Sequence, residues 1–137
     1  MIAYKTHRSI TPEEFTDVLN RSTLGERRPV DDPAAIEGMV RNADITITAW
    51  DGDKLVGVAR SVTDFTYCCY LSDLAVDSGY QRQGIGVELM ALTQSQLGPG
   101  CKIILLAAPA AADYYLRVGF QHHPRAWTLD RNRRPSR

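Results

Sequence analysis

The sequence has no surplus of either charge. Sixteen Lys and Arg balance sixteen Asp and Glu across 137 residues. A chain that grips nucleic acid or an anionic membrane through a basic face needs such a surplus, so neither partner is expected. No run approaches eighteen apolar residues, so no membrane-spanning helix is expected. The first residues, Met1 to Arg8, lack the apolar core of a secretion signal. Cysteine is scarce and odd in number. Cys68, Cys69 and Cys101 form no Cys-x-x-Cys, which argues against a disulfide framework and for a reduced, cytoplasmic protein. Cys68 and Cys69 are neighbours in a strand pattern and so point to opposite faces. No partner histidine makes any of the three a catalytic thiol. His122 and His123 are adjacent without a third ligand, so no metal is expected. Repeats and linkers are absent too. The length suits one domain over 1–130, followed by a short basic tail, Arg131 to Arg137, that should fray.

What is present is a regular alternation of elements. Ile2 to Arg8 reads as a strand. Thr11-Pro12-Glu13-Glu14 is a helix start, with a cap residue, an early proline and two acids at the positive end; Phe15, Val18 and Leu19 supply the apolar face up to about Arg21. Residues 22–32 break the pattern with Gly25, Pro29 and a mixed load of charge. A second helix starts at Pro33 behind Asp32. Residues 44–50 and 55–63 read as strands joined by a tight turn at Asp51-Gly52-Asp53-Lys54, with Gly57 a bulge or close-approach point. Residues 65–76 form a long central strand, 84–97 a helix and 102–108 a buried strand. Pro109 opens a helix that Gly119 stops, and 120–123 and 127–129 read as two short final strands. The expected fold is α+β, a mixed and mostly antiparallel sheet flanked by helices, in the order β-α-α-β-β-β-α-β-α-β-β.

The chemistry centres on Leu71-Ser72-Asp73-Leu74-Ala75-Val76-Asp77-Ser78-Gly79-Tyr80-Gln81-Arg82-Gln83-Gly84-Ile85-Gly86, a strand, a loop and the first turn of a helix. The first N–H groups of a helix have no partner within it, and the peptide dipoles leave partial positive charge there. Glycines that let a ligand reach that backbone make a phosphate cradle. The dinucleotide fingerprint fails, because Arg82 stands where its first glycine belongs. The nucleoside-triphosphate loop fails, because Val87-Glu88 comes after Gly86.

Gln81-Arg82-Gln83-Gly84-Ile85-Gly86 fits Gln/Arg-x-x-Gly-x-Gly instead. It resembles the coenzyme A pyrophosphate loop of the GNAT superfamily of acyl-CoA-dependent N-acyltransferases. A second match lies downstream: Tyr115-Leu116-Arg117-Val118-Gly119-Phe120 is similar to the superfamily's Tyr-x-x-x-Gly-Phe element. The resemblance covers residues 44–129 well and the first forty less distinctly. It implies that Gln81, Arg82, Gln83, Gly84, Ile85 and Gly86 hold the pyrophosphate of acetyl-CoA. It further implies that the backbone of Leu74, Ala75 and Val76 pairs with the pantetheine arm, with Val76 N–H a candidate oxyanion donor. Tyr115 is implied as the acid at the leaving thiolate and as a cofactor contact. The loop 22–36 is implied as the acceptor side, where Glu26, Arg27 and Arg28 are candidate substrate-binding residues for a polar or zwitterionic amine.

An alkylammonium must lose its proton before it attacks. Asp73, on the central strand near the reaction point, is the candidate base; Glu26 and a water relay are the alternatives. The expected function is N-acetyl transfer from acetyl-CoA to a primary amine of a small molecule, by direct attack in a ternary complex. A non-catalytic acyl-CoA-binding module on the same fold, and a partner protein whose loop binds nothing, are the competing readings. A homodimer through the final strands or a sheet edge is compatible with the pattern.

Overall fold

The computed structural model describes residues 1–137. They fall into two compact units, Met1–Leu106 and Ala107–Arg137.

The first unit holds a five-stranded sheet in the order β1-β2-β3-β4-β5: β1 Ile2–Lys5, β2 Ile45–Asp51, β3 Lys54–Thr63, β4 Cys68–Val76 and β5 Lys102–Ile104. Each pair is antiparallel except β4 and β5, which are parallel. Three helices accompany it: α1 Pro12–Arg21, α2 Pro33–Arg41 and α3 Ile85–Ser95. The capping signals read from the sequence are all formed. Thr11 Oγ1 accepts from Glu14 N–H, and Glu14 answers through Thr11 N–H. Asp32 caps α2 through Ala35 N–H.

One side of the sheet is closed by α1 and α2. Phe15, Val18, Leu19 and Ile36 are buried there against Trp50, Leu55, Val58 and Ala75. On the opposite face α3 lies close to β3. A Cβ on Gly57 would stand 3.1 Å from Leu89 Cδ1 and 3.2 Å from Ile85 Cγ2, so this position sets how near the helix can come. Ile85, Leu89 and Thr93 form its buried ridge, while Leu92 is half-buried; Thr93 satisfies its hydroxyl on Leu89 O at 2.8 Å.

Four expectations are corrected. The central strand begins at Cys68 rather than Phe65. Asp64 Oδ1 accepts from the N–H groups of Thr66, Tyr67 and Cys68, and Phe65 sits at φ +65°, which ties the segment into a turn. The first strand stops at Lys5 and the fifth at Ile104, where their pairing with Thr48 of β2 and Tyr70 of β4 ends. The two final strands do not form: residues 118–137 contain no strand. Segments of four and three residues split by Pro124 have no ladder to join, and β-propensity alone does not hold such pieces.

The second unit contains a 3-10 turn, Pro109–Ala111, and α4, Ala112–Arg117. The dimer route through the final strands therefore has no strands to run through.

Candidate active site

β4 is the axis of the site. Its partners on β3 run Val76↔Gly57, Ala75↔Val58, Leu74↔Ala59 and Asp73↔Arg60, and then step to Leu71↔Ser61. Ser72 is skipped, which makes it a β-bulge, the device that bends a strand and re-aims the residues beyond it. On the other side β4 pairs with β5 only over Cys68–Tyr70. Past the bulge, that edge has no strand beside it. Asp77 N–H donates to Val56 O at 2.8 Å, which sets the parity. Asp73 and Ala75 turn their backbone groups towards β3, while Leu74 and Val76 turn theirs to the open edge. Ala75, expected among the cofactor contacts, instead pairs inward and buries its methyl in the core.

The loop after β4 is braced at its root. Asp77 accepts from Gly79 N–H at 2.8 Å and from Arg21 Nη1, and Arg21 Nη2 donates to Leu55 O at 2.6 Å. Burial pushes the Asp77 carboxyl up, but Gly79 N–H, Arg21 and Lys54 outweigh it and hold the pKa below its ordinary value. Tyr80 donates its hydroxyl to Asp51, whose carboxylate raises the phenol's pKa. Gln81 Nε2 reaches back to Val76 O at 3.3 Å.

Gln81, Arg82, Gln83 and Gly84 are exposed and lead directly into α3. Gly84 is the N-cap at φ +80°, ψ +7°, with no side-chain cap and no atom within 4 Å of where a Cβ would stand. The first N–H groups of α3 thus have no acceptor from a capping side chain. That is the condition for an anion cradle, and a pyrophosphate suits it in charge and size. Arg82 lies at φ +64°, the left-handed region that a glycine would occupy without cost.

The acceptor-side loop carries a 3-10 turn, Leu24–Arg27. Glu26 and Arg27 are exposed. Arg28 turns inward: its Nε donates to Asp73 Oδ1, its Nη2 to Ser72 O at 2.8 Å and its Nη1 to Arg27 O at 2.9 Å. Arg60 takes the other carboxylate oxygen through Nε and also reaches Ser72 Oγ at 2.9 Å. The Asp73 side chain is 0 % exposed. Both of its oxygens are engaged by guanidinium groups, so neither faces a substrate proton. A base needs an oxygen aimed at the proton it removes. The geometry gives Asp73 an ion-pair role, and Arg28 is spent on it rather than left open to substrate. Sequence reading missed Arg60, which stands opposite Asp73 in the strand register; a lone arginine inside an apolar strand was the available signal.

Tyr115 stands on α4 in the second unit. Gly119 is at φ +109°; its N–H donates to Leu116 O at 3.3 Å, and Phe120 N–H donates to Tyr115 O at 2.9 Å. This is a Schellman ending, and the ring contact that goes with it is Tyr115 against Phe120, edge-on at 5.5 Å. The Tyr-x-x-x-Gly-Phe pattern is therefore a device that stops the helix and orients the Tyr115 ring. Tyr114 stacks edge-on to Tyr115 at 5.2 Å, and burial raises the Tyr114 pKa. Cys69 is buried, which pushes its thiol up and away from thiolate chemistry. No group of three His, Cys, Asp or Glu could hold a metal ion, and no helix is long and apolar enough to cross a membrane.

Residues 42–122 match the family model for the acetyltransferase (GNAT) domain. The chain belongs to the GNAT family of acetyltransferases. This GNAT chain is 36% identical over 76 residues to a chloroplastic GCN5-related N-acetyltransferase of Arabidopsis thaliana, a stretch covering 52% of the chain and 28% of the relative. It is 33% identical over 76 residues to the histone acetyltransferase TAP1 of Glycine max, covering 52% and 32% respectively. The matched stretch thus spans less than a third of the length of either relative. Among solved structures, a GNAT family acetyltransferase of Streptococcus pneumoniae superposes with a TM-score of 0.73 at 24% identity, over 96% of this chain and 99% of that one. An aminoglycoside N-acetyltransferase in complex with CoA superposes with a TM-score of 0.71 at 15% identity, over 96% and 95%. Likeness at this identity establishes the fold, and the family model establishes the family.

Proposed function

We propose that the chain moves an acetyl group from acetyl-CoA to a primary amine of a small molecule, by direct attack in a ternary complex. The observation that carries this reading is the cradle: Gly84, open and in the left-handed region, starts α3 shortly after a strand whose outer edge is unpaired. Backbone groups of residues 81–86 would bind the pyrophosphate. Leu74 and Val76 would pair with the amide-bearing arm as an added strand does. Acetyl-CoA supplies an acyl thioester, whose carbonyl carbon takes the new bond to nitrogen as the bond to sulfur breaks. Val76 N–H, on the open edge, serves the oxyanion. By its resemblance to the family's tyrosine, Tyr115 is the candidate acid that gives its proton to the leaving thiolate.

With Asp73 engaged, the ammonium proton passes to water on the open loop side, where Glu26 is the exposed carboxylate on the 3-10 turn. The exposed charges of that loop, Glu26, Arg27, Asp31 and Asp32, lean acidic once Arg28 is discounted. That balance supports a cationic amine as acceptor.

Calorimetric titration with acetyl-CoA tests the cradle. The wild type should bind in the micromolar range of affinity, and Gly86→Glu, which places a carboxylate at the same helix end, should abolish binding. Thiol release should then be followed over a panel of amino sugars, polyamines, amino acids and a lysine peptide. Tyr115→Phe should lower kcat by about ten- to a hundredfold and leave acetyl-CoA affinity nearly unchanged. If the wild type fails to bind acetyl-CoA, the donor assignment is wrong.

A further inference from the structure

The acyl-transfer roles leave unused an ionic triad built around the buried Asp73 carboxylate. Asp73 receives Arg28 on one oxygen and Arg60 on the other. Both arginines also hold the bulge residue: Arg28 Nη2 donates to Ser72 O at 2.8 Å and Arg60 Nη2 to Ser72 Oγ at 2.9 Å. Arg60 Nη1 reaches Met39 O on α2 at 3.2 Å. The three side chains together therefore tie β3, β4, the end of α2 and the loop between α1 and α2. A buried ion pair adds little net stability, because desolvation offsets attraction; its best-attested use is to select one geometry. Here the selected geometry is that of the Ser72 bulge, and the bulge decides how Leu74 and Val76 leave the sheet. Arginine is required, because Arg28 donates from three nitrogens in three directions, which a lysine ammonium at the end of a flexible stem cannot copy.

We infer that Arg28, Asp73 and Arg60 form a clamp that holds the Ser72 bulge and fastens the loop 22–32 onto β4, so that the amine side of the site is built before substrate arrives. Arg28 and Asp73 are positioning residues acting through that loop. The kinetic part of the inference rests on the amine assignment proposed above; the structural part does not.

The test compares wild type with Arg28→Ala, Arg28→Lys and Asp73→Asn. Amide hydrogen exchange is followed over residues 22–32 and 71–76 in ligand-free protein. Steady-state kinetics with varied amine are run across pH. In Arg28→Ala, exchange over 22–32 should rise by about tenfold or more, KM for the amine should rise by about tenfold, and KM for acetyl-CoA should stay within about twofold. Arg28→Lys should fall between. Asp73→Asn should keep the acidic limb of the kcat profile. Unchanged exchange in Arg28→Ala overturns the clamp. Loss of the acidic limb in Asp73→Asn with KM unchanged makes Asp73 the base and overturns its positioning role. If Asp73→Asn does not fold, Arg28→Ala decides, since Arg60 still pairs the carboxylate there. If no amine is turned over, the exchange measurement still judges the clamp, and only the amine assignment falls.

Discussion

Arg82 occupies a backbone conformation that favours glycine, at φ +64°, in the loop that leads into α3. A side chain there costs about 1–2 kcal/mol, part of which glycine's greater freedom in the unfolded chain returns. Arg82→Gly should therefore raise thermal stability by up to about 1 kcal/mol, read as an increase in Tm. Its effect on acetyl-CoA affinity separates the two roles open to the guanidinium: weaker binding with a shallower salt dependence marks a phosphate contact, and unchanged binding marks a solvated side chain. Asp77 makes a second prediction. Its folded pKa lies below the unfolded value, so the stability it contributes is complete above about pH 4 and drains away as pH falls through the folded value. Asp77→Asn should flatten the fall in Tm between about pH 5 and about pH 3. Asp64 is shifted the same way by the N–H groups of Tyr67, Cys68 and Thr66, so the acid limb should shrink rather than vanish.

At the scale of elements, α3 packs tightly on β3 at Gly57. A methyl at Gly57 meets Leu89, Ile85 and Ala49 at 3.1, 3.2 and 3.4 Å. Gly57→Ala should cost about 1–3 kcal/mol by denaturant titration, and it should weaken acetyl-CoA binding, because the displaced end of α3 carries the cradle. Substitution at Gly38, where nothing lies within 4 Å, should do neither. The helices were legible because their signals are local: Thr11 with Glu14, Asp32 with Pro33, and apolar residues three and four apart. The glycine loop and the Tyr115–Phe120 ending were legible for the same reason. Strand ends were not, because they depend on a partner. Leu105 and Leu106 look like strand residues, but the pairing of β5 with β4 ends at Tyr70↔Ile104, just ahead of the Ser72 bulge. The start of β4 was misread because Asp64 gathers three N–H groups that an extended chain would have offered to a neighbour.

At the scale of the whole molecule, the two tryptophans give separate reporters. Trp50 is 1% exposed, bonded to Thr48 Oγ1 at 2.7 Å and covered by the Arg8 guanidinium at 3.6 Å, whereas Trp127 is 91% exposed. Trp127→Phe should leave a blue-shifted emission that acrylamide scarcely quenches, and its loss on denaturation should report Met1–Leu106. Strong quenching of Trp50 in the native protein would contradict its burial. By itself the sequence determined the helices, the hairpin, the glycine loop and the family, because each is written in spacings of a few residues and in backbone conformations that only certain side chains permit. The tertiary structure alone decided what Asp73 is. A carboxylate in a strand near the reaction point reads equally as a base or as an ion-pair partner. The choice belongs to Arg28 and Arg60, forty-five and thirteen residues away along the chain, which folding brings to its two oxygens.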